Sequence, residues 1–201
     1  MANIEHDSIP NADIHEPKGV DTATDGQVYI ANGVGGGSWG SPFSGTHDVL
    51  ITAKSLAATQ EPTVTDTPLQ LEMGVAQGSG SDPVMLDSLG VVTINQTGRY
   101  TFSALMHFGR SGGTGTSHIY FRQVFNGVQA GNTLFAKVDD AEVIQPVTVT
   151  FSAQLAAGTE IRYQIIRDSA GNNSGGLVEN TPSDAGWNDA PTISVTISRI
   201  V

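Results

Sequence analysis

The stretch Gly98-Arg99-Tyr100-Thr101-Phe102-Ser103-Ala104-Leu105-Met106-His107-Phe108 decides the fold. Tyr100, Phe102, Ala104, Met106 and Phe108 alternate with Thr101, Ser103, Leu105 and His107. A period of two places one set on a buried face and the other on the opposite face of a strand. Leu105 is the one large aliphatic residue on the polar phase. The same alternation returns in Val147, Val149, Phe151, Ala153 and Leu155, opposed by Thr148, Thr150, Ser152 and Gln154. After the turn Ala156-Ala157-Gly158-Thr159 it resumes in Glu160-Ile161-Arg162-Tyr163-Gln164-Ile165. It closes on Ile193, Val195 and Ile197, with Ser194, Thr196 and Ser198 between them.

Weaker strand signals fall near residues 49–53, 68–73, 90–94, 119–125 and 133–138. About eight or nine short strands separated by turn residues predict a β-sandwich or jelly roll. The 24 glycines and 9 prolines, spread along 201 residues, supply the turns. One helical turn is the most that residues 53–59 suggest, and without alternating long helices a parallel α/β sheet is excluded. The expectation is an all-β, antiparallel jelly-roll sandwich over residues 48–201, preceded by an extended N-terminal arm.

Residues 1–45 read differently. Pro10, Pro17 and Pro42 break regular structure, and Gly33-Val34-Gly35-Gly36-Gly37 reads as a flexible spacer. So few large apolar residues cannot offset the entropy of ordering alone. Yet Ile9, Ile14, Val20, Val28, Tyr29, Ile30 and Trp39 are costly to leave in water, so the arm is expected to lie against a partner. An extended segment can add as a strand to a partner's sheet edge. Several copies held on one oligomer multiply weak contacts through effective concentration.

Composition narrows the function classes. Apolar residues make up 38% of the chain, enough for one core. Nine basic residues against twenty acidic ones give a formal charge of −11, the wrong sign for nucleic-acid binding. No apolar run of about 18 residues is present to span a membrane as a helix. The start Met1-Ala2-Asn3-Ile4-Glu5 lacks a basic, apolar secretory signal, so synthesis in a cytoplasm is expected. Cysteine is absent, which excludes disulfides and thiolate chemistry.

Candidate chemistry is sparse. His6, His15, His47, His107 and His118 are scattered and show no zinc-ligand spacing. Asp139-Asp140-Ala141-Glu142 offers oxygen ligands or an acid/base pair, but its spacing matches no calcium loop and reads as a solvated turn. Asp168-Ser169-Ala170-Gly171-Asn172-Asn173-Ser174-Gly175-Gly176 reads as a long turn or a ligand-contacting loop. No Gly-x-Ser-x-Gly elbow stands between a strand and a helix, and the glycine run at 33–37 lacks the helix that phosphate binding needs. Trp187, in Asp184-Ala185-Gly186-Trp187-Asn188-Asp189, reads first as a ring closing the sandwich and second as a contact for a sugar face. No metal, cofactor or enzymatic activity is expected.

Two resemblances add to this reading. The Gly-x-Tyr-x-Phe strand at 98–102, followed by the strands at 147–155, 161–165 and 193–200, resembles trimeric jelly-roll heads of the tumour-necrosis-factor and complement globular-head type over residues 48–201. The leader Ile9-Pro10-Asn11-Ala12-Asp13-Ile14-His15-Glu16-Pro17-Lys18-Gly19-Val20, with Ala23-Thr24-Asp25-Gly26-Gln27-Val28-Tyr29, resembles the leader of tailed-bacteriophage virion proteins. Those proteins include head-decoration, head-fibre and tail-fibre-like chains. The ending Ala190-Pro191-Thr192-Ile193 through Ile200 is similar to phage C-terminal β domains.

Together the resemblances imply a homotrimeric capsid decoration or head-fibre protein on the capsid exterior, made in the host bacterial cytoplasm. Its arm would dock on the major capsid protein through Ile9, Pro10, Ile14, His15, Glu16, Pro17, Lys18, Val28, Tyr29 and Ile30. Tyr100, Leu105 and His107 are the expected trimer contacts, and Trp187 the expected ligand contact. The alternative is a tail-fibre or receptor-binding protein, held by a tail protein, whose head recognises a host-surface glycan. A polysaccharide-degrading enzyme on the same scaffold would need facing carboxylates, and alternation puts few acids on the strands.

Overall fold

The structure, a computed structural model, describes residues 23–25, 27–31, 37–40, 47–141, 143–171 and 174–200. It is all-β, with no helix among the described residues. The chain divides into two compact units, residues 1–45 and 46–201.

In the first unit, β1 (Val28–Ala31) pairs antiparallel with β2 (Gly37–Gly40). The expected glycine spacer therefore gives way at Gly37, which stands in β2 opposite Ala31. The Tyr29 and Trp39 rings meet edge-on at 5.5 Å across this hairpin. Aromatic cross-strand pairs of this kind stabilise a ladder by about 0.2–1 kcal/mol.

The second unit holds two six-stranded antiparallel sheets. One is built on β8 (Gly98–Gly109), which pairs along one edge with β11 (Gln145–Leu155). Along the other edge β8 takes β14 (Ile193–Ile200) and then β13 (Gly176–Val178). β3 (His47–Lys54) flanks β14, and β4 (Thr59–Gln60) flanks β13.

The other sheet runs β10 (Val128–Val138), β9 (Ser117–Phe125), β12 (Glu160–Arg167), β7 (Val92–Ile94) and β6 (Val84–Leu86). In it β5 (Leu69–Gln70) lies beside β12. The result is the expected antiparallel sandwich of jelly-roll type.

The alternating residues meet in the middle. Tyr100, Phe102, Ala104, Met106 and Phe108 are buried, as are Ile161, Tyr163 and Ile165 opposite and Ile193, Val195 and Ile197 beside them. Phe102 stacks on Phe151 at 4.6 Å, and Phe151 reaches Phe125 at 5.8 Å, linking the two sheets. Each such ring contributes on the order of 1.5–3 kcal/mol through burial. Enclosure in the core pushes the Tyr163 phenol far above its ordinary value.

The suggested helical turn at 53–59 does not form. Ala53 and Lys54 complete β3, the Ser55 amide donates to Ile193 O at 2.9 Å, and Ser55 Oγ accepts from the Ala57 amide. A serine side chain that bonds the local backbone competes with helix in this way.

Buried polar groups fix the short strands. Gln60 Nε2 donates to Thr192 Oγ1 (2.9 Å) and Glu72 O (3.1 Å), while Gln60 Oε1 accepts from the Glu72 amide (2.7 Å). A Cβ at Gly176 would stand 2.3 Å from Gln60 O, so only glycine lets β13 approach β4 there.

Candidate ligand-binding cleft

The outer face of the sheet carrying β9 is where side chains of mixed chemistry converge. On β9, inward Ile119 and Phe121 leave His118, Tyr120 and Arg122 facing outward; on β12, inward Tyr163 and Ile165 leave Gln164 and Ile166 outward. Register then makes rows. Phe135 of β10, Tyr120 and Ile166 stand directly opposite one another, and two residues along the strands Arg122 stands opposite Gln164, which stands opposite Gln70 of β5.

The first row is apolar: Phe135 packs on Tyr120 at 4.9 Å and on His118 at 5.4 Å. The second row is polar. Arg122 Nε donates to Gln164 Oε1 at 2.9 Å, which orients the guanidinium along the sheet.

Loops raise walls on both sides. The segment 61–68, between β4 and β5, is tied down where the Asp66 amide donates to Arg167 O (2.8 Å) and Asp66 Oδ1 accepts from the Ser169 amide (2.9 Å). Arg167 Nη2 donates to Thr63 O at 3.2 Å in the same wall. Asp66 adopts a left-handed backbone at φ 57°, a conformation that aspartate tolerates better than most residues. The Ser169 backbone and side-chain hydrogen bonds hold the Asp66 carboxyl below the usual carboxylate range.

The opposite wall is a bulge in β10 between Ala130 and Leu134. Gly131 takes φ +70° there, and Gln129 Nε2 reaches across to Thr133 Oγ1 at 2.9 Å. Bulges commonly re-aim side chains in this manner. The half-open cleft between the walls has a volume of about 520 Å³, lined by Tyr120, Arg122, Gln164 and Ile166 on its floor and by Asp66, Pro68, Asp168, Gln129 and Thr133 on its sides. A concave, largely apolar site with a few placed polar groups is the usual form of a small-ligand site.

The residues singled out from the sequence fall elsewhere. Ile9, Pro10, Ile14, His15, Glu16, Pro17 and Lys18 lie outside the described residues. Val28 and Ile30 are 43% and 48% exposed on the hairpin.

Tyr100, expected at a trimer contact, is instead wholly enclosed in its own domain, with its hydroxyl donating to Gln96 O at 2.6 Å. It shares the inward phase with Phe102, so no partner can touch its ring. Leu105 and His107 are half-buried on the outer phase, and His107 Nδ1 donates to Pro191 O at 2.6 Å. Trp187 is 73% exposed and closes nothing; it does not line the cleft either.

Of the acidic run at 139–142, Asp139 is engaged by side chains of neighbouring segments. Asp139 accepts from Thr116 Oγ1 at 2.9 Å and pairs with Lys137 at 2.9 Å, contacts that hold its carboxyl below the usual range. The backbone of the same residue caps Arg110, a buried guanidinium that also donates to Gly115 O. Glu142 lies outside the described residues, as do Asn172 and Asn173 of the other loop. Among the described residues, no three His, Asp or Glu side chains gather as metal ligands, and no helix is long and apolar enough to cross a membrane.

Neither a protein-family model nor a curated protein matches this chain.

Proposed function

We propose that this chain is a structural bacteriophage virion protein, a trimer attached through residues 1–45 that projects its β-sandwich head from the capsid. The observation that carries the reading is the division into a small N-terminal hairpin unit and a self-sufficient head. A two-stranded hairpin is only marginally stable by itself. This one leaves Val28 and Ile30 exposed, apolar surface that a docking partner would cover.

The head's other outer face supports self-association. Thr101 and Ser103 of β8 meet Ser152 and Thr150 of β11 in hydroxyl pairs at 2.8 and 3.2 Å. Ser194 and Thr196 of β14 continue the row, with Leu105 at its centre. From Thr101 to His107 and from Pro146 to Gln154, no outward residue is Asp, Glu, Lys or Arg. For a chain of formal charge −11, this uncharged stretch, bordered by the cations Arg99 and Lys54, is one on which copies meet without acidic repulsion.

The cleft favours a second reading, a receptor-binding head on a tail fibre. In either reading the function is binding.

The test is binding of the full chain, and of a chain beginning at Asp48, to virions stripped of the protein. Binding by the full chain alone is expected, at a site density matching capsid subunits. Equal binding by both would remove the arm as the anchor, and a density matching tails would move the protein to the tail.

A further inference from the structure

We infer that the cleft over β9 and β12 is a binding site for a neutral oligosaccharide. The inference rests on reading the head as a binding module, and not on where the arm docks.

The geometry selects the ligand class. The floor is two parallel rows about 7 Å apart, the spacing of alternate residues on a strand. One row, Tyr120 and Ile166, spans one interstrand gap, about 4.8 Å of apolar surface, with Phe135 packed on Tyr120 beyond the lining. The other, Arg122 and Gln164, presents guanidinium and amide groups.

A pyranose matches this division, because its C–H face is apolar and its rim carries hydroxyls that both donate and accept. Laid over Tyr120, its C–H groups meet the negative face of the ring. Its hydroxyls reach the terminal nitrogens of Arg122 as acceptors and the Asp66 and Asp168 carboxylates as donors. The Tyr120–Ile166 row accommodates one such ring.

Other ligands fit less well. An extended peptide binds by adding to a sheet edge, and this floor is the face of three strands already paired to one another. Polyanionic glycans meet two carboxylates against one guanidinium in the cleft, on a chain of net charge −11. Both carboxyl groups are also held in place as acceptors, Asp66 Oδ1 from the Ser169 amide and Asp168 Oδ1 from the Ala170 amide at 2.6 Å.

The experiment applies the full chain to an immobilised panel of neutral hexose and N-acetylhexosamine oligosaccharides, beside a matched panel bearing carboxylate, sulfate or phosphate. Binding to members of the neutral panel, unchanged in high salt, is expected. Tyr120→Ala and Gln164→Ala should each weaken it at least tenfold, while Trp187→Ala binds as wild type. Circular dichroism checks that each variant is folded; should Tyr120→Ala not fold, Gln164→Ala decides.

No binding to the neutral panel at millimolar ligand would overturn the inference. So would binding to the anionic panel alone, or loss with Trp187→Ala while Gln164→Ala binds normally. Virion binding by the same variants should remain at the wild-type level, so failure of the cleft and failure of the arm are separately visible.

Discussion

The two outer faces of the sandwich differ far more than the two inner ones. Inside, both sheets present the same kind of apolar row, Phe102 and Met106 on one side and Phe121 and Ile165 on the other. Outside, β8 and β11 carry paired hydroxyls, whereas β9 and β12 carry an aromatic row, a guanidinium–amide row and loop-built walls. Strand alternation explains why this is tolerated. The inward phase is constrained by packing, and the outward phase is left to specialise. On the proposed reading, one face meets copies of itself and the other holds a small ligand.

The most severe way to break this contrast is to remove what the faces share. Phe102→Ala should lower the unfolding free energy by about 3–5 kcal/mol, because Phe102 is fully buried and stacked on Phe151, which touches Phe125. Urea unfolding followed by circular dichroism should remain a single transition, since both faces stand on one core; two transitions would mean that the sheets are separable.

A change on the outer phase should be selective. Leu105→Asp should convert a trimer to monomer in native mass spectrometry, weakening association at least tenfold, while Ile166→Asp leaves assembly unchanged. The opposite result would exchange the roles of the two faces, and a monomeric wild type would remove the trimer altogether.

The smallest effect sharpens the cleft side alone. Asp66 titrates below its ordinary value of 3.8 in the folded chain, because its carboxylate accepts from Ser169. The wall is therefore stabilised at pH above 3.8, and the contribution is lost as pH falls through the lower folded value. Carboxyl-detected NMR should place the Asp66 midpoint under 3.8, and Asp66→Asn should remove the acid-dependent loss of Ser169 amide protection.

The long strands were legible because each carries several alternations: residues 100–108, 147–155, 161–165 and 193–197 all lie in strands of eight residues or more. β4, β6 and β13, of two or three residues each, escaped the reading because so short a run has no period. β4 and β13 are held by Gln60 and by the close approach at Gly176, and β6 by its ladder to β7, none of which is a pattern along the chain.

The cleft was hidden for a related reason. Gln164 was visible on the outward phase of its strand. Its pairing with Arg122 is a matter of register, and Asp66 meets Ser169 across a separation of 103 residues. The acids that sequence alternation placed off the strands do come from loops, where no periodicity could announce them. Tyr100 shows the converse: the alternation assigned it inward, and its burial removes it from the interface that the resemblance suggested.

The placement of β14 also governs when a head can exist. This strand fits between β3 and β8, pairing Ile200 with His47 and Ile193 with Met106. During synthesis β3 and the inner edge of β8 emerge early and wait, unpaired, until the segment ending at Ile200 leaves the ribosome. Such long-range closure is slow and exposes edges meanwhile. The hairpin of β1 and β2, by contrast, pairs within itself before β3 is made. Deleting the β14 segment should therefore leave newly made protein with two open strand edges and prone to aggregation.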